Sequence, residues 1–534
     1  MKFLIIAPTA GILVAISALM YFKTQAQSQP AVTIATGRGG LTSVKVAETE
    51  YLRDGEFKLS QVTLSKGSGE SYPGSTAGTF VFDDAEKKAK GKYSWGTVSV
   101  GYASSGNRLD LDIEARNTSK TDTIQGLWFE PLTLRFPAKL TEYDGSIPLL
   151  TSAVGGPAVL RVTYPSGSLL VASSDTGKPV LLGFPWSSNR PDSTDFPLTL
   201  TTDKVRSFPD SYPAVHRTIS PGGRDHFRVS LRFGNPGASV AELGRDIYTE
   251  YATAFPLKLD WQDRRPIGSV FLASSDVTWP KNPRGWFGNS KIDVTTPAGK
   301  EDFRAKIFSL ADNTLNILRE MNAQGVITWD VEGQEFAHSV SYIGDPRLVK
   351  TLAPEMDAVA DDYFAKLRNA GFKVGISVRP QQFRTAQGKP EQTPVDEPAK
   401  LLIEKIRYAK ERWGISLVYI DSNVNAHDPN PIDAQQLAEV AAAFPDVLLI
   451  PEHSSFQYYA FSAPYKELRQ GYTSTPEVVR LAYPKAFTVI STADGLLDHN
   501  REALVKSIKR GDSVIYRSWY PDPQNEHVKS LFGH

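Results

Sequence analysis

Two different periodicities divide the chain. From about residue 31 to 238, apolar and polar side chains alternate with a period of two, as in "TSVKVAETEY", "GTFVFDD", "GTVSVGYA", "RLDLDIEARN" and "IQGLWFEPLTLRF". Alternation sends one set of side chains to a core face and the other to water, so each segment predicts a half-buried strand. Clusters of Gly, Ser, Asn, Asp and Pro ("SKGSGESYPGS", "ARNTSKTD", "SPGGRDH") separate the segments as turns. Many short strands with this punctuation predict an N-terminal antiparallel β-sandwich over 31–238. Within it, "RLDLDIEARNTSKTDTI" reads as a hairpin with a polar tip.

Near residue 239 the period changes. "SVAELGRDIYTEYATAF" has helical spacing and predicts a linking helix within 239–262. From 263 to 534, short apolar runs alternate with amphipathic helical stretches. The runs are "IGSVFLAS", "GVITWD", "KVGISVRP", "SLVYIDSN", "DVLLIPEH", "AFTVISTAD" and "SVIYRSWYPD". Near-continuous apolar strands, each followed by a helix, predict a (β/α)8-type TIM barrel. Seven strands are legible where a closed barrel has eight. No Gly-rich phosphate loop follows the first strand, so nothing supports a dinucleotide-binding open sheet.

Composition narrows the function. Lys plus Arg and Asp plus Glu both number 59, a balance without the basic excess of a nucleic-acid binder. The chain has no cysteine, which removes disulfides, thiol catalysis and cysteine–zinc sites. Residues 1–26 begin with Lys2, run apolar from 3 to 22 and end in Thr24, Gln25 and Ala26. That order predicts a signal peptide cleaved before Gln27 and an exported protein, periplasmic or extracellular. The run is also long enough to span a bilayer, so an uncleaved membrane anchor is the alternative. It is the only part of the chain that suggests membrane association.

A TIM barrel carries its chemistry at the C-terminal ends of the strands. Here those ends read Ser275 and Asp276, then Asp330 and Glu332, Arg379, Asp421, Glu452 and His453, Asp494, and finally Arg517, Trp519, Tyr520 and Asp522. Polar side chains directly after so many apolar runs predict a functional rim. The eight His form neither H-x-H nor H-E-x-x-H, and no G-x-S-x-G occurs, so zinc and serine-esterase chemistry have no motif. The loop from Asp421 begins like an EF-hand, D-x-N-x-N. Ala426 then stands where the turn Gly belongs and Ile432 where the closing Glu belongs, so no metal and no cofactor is read there. What remains is paired-carboxyl chemistry, in which one carboxylate attacks or activates and a second carboxyl, its pKa raised, donates a proton. Asp330, Glu332, Arg379, His453 and Arg517 are candidate substrate-holding residues. Trp286 and Trp519 are candidate platforms for the CH face of a sugar ring. Asp330 and Glu332, two apart, are expected to leave the strand on one side. Glu335 is read as a solvated loop residue.

A β-sandwich followed by such a barrel, with "VYIDSN" ending the fourth strand and "WD-x-E" ending the second, resembles the retaining α-glycosidase superfamily. That superfamily includes glycoside hydrolase families 31 and 36 and, more distantly, the α-amylase-like barrels. The resemblance implies a glycoside hydrolase acting on an oligo- or polysaccharide, with Asp421 as the nucleophile. For the proton donor it implies two positions. One is Glu452, as the Glu ending strand five of α-amylase-like barrels; the other is Asp494, as the Asp after strand six of families 31 and 36. Glu452 is preferred because neighbouring strand ends bring two carboxyls close. The alternative is a non-catalytic carbohydrate-binding or envelope protein on a degenerate barrel.

Overall fold

A computed structural model describes residues 29–532, except 38–39, 79, 84–85, 87, 145–148, 153–154, 185–193, 203–214, 216, 275–278, 335–342, 387–388, 425–430 and 493–496. The leader segment 1–26 lies outside the described residues, as do Ser275, Asp276, Glu335, Ala426 and Asp494. Two compact units form, one from residues up to Ala153 with Ala158–Gly244, the other from Val154–Pro157 with Arg245–His534.

The first unit is built on an eight-stranded and a six-stranded antiparallel sheet. In the larger sheet Arg108–Asn117 lies between Gly96–Ser105 and Arg224–Gly234. The alternation seen in the sequence is realised as register: Leu109, Leu111 and Ile113 face Leu231, Val229 and Phe227, and all six are buried. Val62 and Leu64 of the smaller sheet, with Leu127 and Phe129, belong to the same apolar cluster, as a sandwich requires. The expected hairpin does not form. Arg108–Asn117 already has a neighbour on each edge, so the chain crosses and Thr123–Glu130 pairs with Lys58–Ser65 in the other sheet.

The second unit is a barrel of eight parallel strands: β1 Ile267–Phe271, β2 Gly325–Trp329, β3 Lys373–Val378, β4 Leu417–Ile420, β5 Leu448–Pro451, β6 Tyr465–Glu467, β7 Val489–Ser491 and β8 Ser513–Arg517. Their order around the sheet is β5-β4-β3-β2-β1-β8-β7-β6. The seam between β5 and β6 is bridged by the hydrogen bond from Ala463 N to Leu449 O, 3.0 Å. The strand that sequence periodicity misses is β6. It has three half-buried residues, Tyr-Lys-Glu, and no apolar run to mark it.

Inward-facing side chains fill the barrel in layers. Ile327 and Trp329, Leu417 and Tyr419, and Leu448 and Ile450 are buried in one cluster with Phe487, Val489 and Ile515. One end is closed. Leu259 and Trp261 pack against this cluster, and Trp261 Nε1 donates to Gln324 Oε1 at 3.0 Å just before β2. Lys373, the first residue of β3, forms an ion pair with Asp263 at 2.7 Å. The N-terminal end of the barrel is therefore stoppered by residues 258–265, so the C-terminal strand ends form the mouth considered below. Long helices such as Pro297–Glu320, Pro354–Asn369 and Pro398–Trp413 follow the strands, each opened by a Pro whose missing N–H costs nothing in the first turn.

Candidate active site

Strand register determines which residues meet at the mouth. Val378 pairs with Ile420 and Ile420 with Pro451. The ladder continues one step further, with Asp421 N donating to Val378 O at 2.9 Å and Glu452 N to Ile420 O at 3.0 Å. Period-two alternation places Asp421 above the inward Leu417 and Tyr419, and Glu452 above the inward Leu448 and Ile450. Arg379, one position past the end of β3, falls in the same layer. Neighbouring strands are about 4.8 Å apart, so Asp421 is the neighbour of both Arg379 and Glu452 by construction.

The contacts follow. Arg379 Nε forms an ion pair with Asp421 Oδ2, both side chains being largely buried. Ser422 Oγ donates to the same carboxylate oxygen at 3.1 Å. Ser422 adopts φ +50°, the left-handed region that costs a non-glycine residue strain. That turn aims its N–H at Glu452 Oε2, 2.7 Å away. Gln381 Nε2 holds the Ser422 carbonyl at 2.8 Å. The Glu452 and Asp421 carboxyls are close enough for Asp421 to act on the titration of Glu452. Burial, and then the charge of Asp421, push the Glu452 carboxyl up from 4.5 to about 7.

Asp330 and Glu332 sit beside this layer, and both are buried. The chain leaves β2 with Asp330 at φ +62°, so the strand ends there and the two acids do not share a strand face as their spacing suggests. Burial, reinforced by Glu332, holds Asp330 well above the ordinary carboxyl range. It accepts the N–H of Ala273 and lies within the fields of Arg379 and Asp421. Burial raises Glu332 to about 8, although its carboxyl accepts N–H groups from its own backbone and from Asp345, and Lys405 opposes the rise. Lys405 is fully buried, and burial lowers it to about 8. Its ammonium donates to Arg379 O and Gln381 O, each at 2.8 Å, and to Gly344 O at 3.1 Å, and stands 3.6 Å from Asp345.

The remaining candidates separate into three places. His453 is half-exposed, with Nε2 3.6 Å from Glu452 Oε2. Burial and the nearby Lys466 lower its pKa. Arg517 and Trp519 form a group at the end of β8, where Trp519 meets Phe271 edge-on at 5.1 Å and Arg517 donates to Tyr520 at 3.3 Å. Trp286 is not a platform. It is fully buried, donates its Nε1 to Glu355 at 2.6 Å and packs on Phe303, so no ring face is open to a sugar. Trp329 is likewise interior, stacked on Phe271.

Counting β6 renumbers the rim. Asp494 now follows β7 rather than the sixth strand, and the acid ending the sixth strand is Glu467. Glu467 faces Glu452 across the seam closely enough to raise its pKa. With Ser454, Lys466 and Tyr472 it lines a cleft of about 320 Å³ that opens onto Glu452 and His453. None of these was singled out in the sequence. Lys405 has a detectable signal, since it lies on the apolar stripe Leu402, Ile406, Ala409 and Trp413 of its helix. Among the described residues no group of three or more His, Asp or Glu is arranged to hold a metal ion.

No protein-family model and no curated protein matches the chain. Among solved structures it is similar to an α-galactosidase from Lactobacillus brevis, with 11% identity, 88% of this chain and 72% of that chain covered, and a TM-score of 0.44. It is similar to the GH36 α-galactosidase AgaA from Geobacillus stearothermophilus, with 10% identity, coverage of 91% and 77%, and a TM-score of 0.45. A third is an α-galactosidase from Thermus thermophilus in complex with stachyose, with 11% identity, coverage of 82% and 98%, and a TM-score of 0.39.

Proposed function

We propose that the barrel mouth is a glycosidase site in which Asp421 is the nucleophile and Glu452 the proton donor. One observation carries this reading: adjacent carboxyls with opposed environments, Asp421 in an ion pair with Arg379 and Glu452 raised to about 7. Divergent environments on neighbouring acids are how one site supplies both a base and an acid near neutral pH. In the first step Asp421 attacks the anomeric carbon while Glu452 gives its proton to the leaving oxygen, and the glycosidic C–O bond breaks. In the second a water gives its proton to Glu452 and its oxygen to the anomeric carbon, freeing Asp421. A retaining pair works at about 5–5.5 Å, a separation that neighbouring strand ends can supply. Asp330 and Glu332, buried beside the pair and both raised by burial, would act on its charge from behind the rim.

The test is hydrolysis of a panel of α- and β-linked glycosides. Asp421→Asn is expected to abolish turnover, and Glu452→Gln to lower it by about 10²–10⁴-fold. Because the donor must be protonated, kcat/KM is expected to fall as pH rises through about 7. Turnover that survives Asp421→Asn would remove Asp421 from the role. The contact between Asp421 and Glu452 also favours a second reading, a saccharide-binding site without turnover, since each carboxyl already has its partners. That reading predicts glycan binding with no product from any panel member.

A further inference from the structure

The cleft beside Glu452 has a charge that its walls do not balance. Besides Glu452 and the phenols of Tyr465 and Tyr472, three ionisable groups face it: His453, Lys466 and Glu467. Glu467 is already engaged, by Arg469 at 2.5 and 3.1 Å and by Gln470 at 2.9 Å. Lys466 is not. Its ammonium donates to Ser454 Oγ at 2.6 Å and lies 4.6 Å from the centre of the Tyr472 ring, and among the described residues no carboxylate comes within 4.0 Å. Burial lowers its pKa and no acid offsets the shift. A partly desolvated cation without a counter-charge is costly to keep. Tyr472 is 44% exposed, one of the few large apolar side chains on the surface, and it gives the cleft an open ring.

We propose that this cleft is a subsite for a saccharide bearing an anionic group, a carboxylate or a sulfate ester. Lys466 is the counter-ion, Ser454 and His453 are neighbouring hydrogen-bonding groups, and Tyr472 is the stacking face for the ring. The cleft's volume is at the small end of ligand sites, which run from about 300 to 1,000 Å³, so it fits part of a chain rather than the whole substrate. The proposal rests on the reading of the mouth as a saccharide site and gives that site a substrate class, acidic glycans.

The experiment is binding of the full chain carrying Asp421→Asn to a glycan array. The array holds neutral, uronate-containing and sulfated oligosaccharides, with the uronates also present as methyl esters. Uronate or sulfate members are expected to bind at least tenfold more tightly than their neutral or esterified counterparts, and the arm that responds identifies the anion. Lys466→Met is expected to bring the acidic members down to the neutral level while leaving neutral members unchanged. Lys466→Arg, which keeps the charge, is expected to retain the preference and so controls for folding. The proposal is overturned if no acidic member binds, if esters bind as well as free acids, or if Lys466→Met weakens all members alike. The binding readout does not depend on turnover. An acidic preference without hydrolysis by the wild type would therefore refute the glycosidase mechanism and leave the subsite standing.

Discussion

Glu332 offers a sharp test of the buried electrostatics behind the rim. Its carboxyl is 2% exposed and is raised from 4.5 to about 8, by burial first. A raised carboxyl means that the folded state holds a proton that the unfolded state has lost. Stability is then full below about pH 4.5, falls as pH rises and levels off above about pH 8. Each pH unit in that window is worth about 1.4 kcal/mol, so the whole rise corresponds to at most about 5 kcal/mol. Glu332→Gln keeps the shape of the protonated acid and cannot ionise. The variant is expected to match the wild type near pH 5, where both are neutral, and to be the more stable by about 2–5 kcal/mol near pH 8. At roughly 2 °C per kcal/mol for a domain of this size, its melting temperature should be about 4–10 °C higher there. Differential scanning calorimetry or urea titration at the two pH values measures this directly. The comparison stops at pH 8, because Lys405, lowered from 10.5 to about 8, contributes the opposite slope above it. If the two proteins differ by the same amount at pH 5 and pH 8, Glu332 does not carry a proton in the folded state and the reasoning fails.

Two further outcomes follow from contacts at the site. Lys405→Met leaves Arg379 O and Gln381 O without their ammonium donor and Asp345 without one of its two cations, and breaking a buried pair costs about 3–5 kcal/mol. Melting should drop accordingly; if the mouth is the proposed glycosidase site, kcat of the surviving folded protein should fall more than KM rises, because the backbone behind Arg379 and Gln381 no longer holds Asp421 and Ser422 in place. Trp286→Phe removes the donor to the buried Glu355, and leaving a buried acceptor unsatisfied costs about 1–3 kcal/mol. The melting temperature is expected to fall while KM for any saccharide stays unchanged, whereas a rise in KM at constant stability would restore Trp286 as a platform.

The sequence carries the barrel where burial writes itself as an apolar run. β2, β4 and β5 are buried at every position, and each stands out as Val, Ile, Leu and Trp. It hides β6, whose three residues are all half-buried and polar enough to pass for a loop. Asp421 and Glu452 were legible for the same reason that they meet. Each is the next inward position after two apolar ones, so alternation alone assigns them to the barrel interior. Asp330 and Glu332 were legible as a pair but not in their geometry, because nothing in "WDVEG" announces that Asp330 takes a left-handed turn. Trp286 fails as a platform because its partner, Glu355, is 69 residues away, a distance that no local pattern spans.

The same register that identifies the dyad limits what it can be. Parallel pairing sets Arg379, Asp421 and Glu452 in one layer on β3, β4 and β5, with the guanidinium against Asp421 and the second carboxyl on the far side of it. Two negative charges about 4.8 Å apart with one positive charge leave an excess that burial penalises, and binding one proton is the least costly relief. Burial and the charge of Asp421 raise the Glu452 carboxyl, which accepts the Ser422 N–H, while Asp421 has the guanidinium and the Ser422 hydroxyl. Shifting the acid by one residue along β5 would turn it toward the helices and leave Asp421 and Arg379 a neutral pair with no proton to give. The pairing that a two-carboxyl mechanism would use is thus a consequence of strand register, which sets Arg379 against Asp421 and Asp421 beside Glu452.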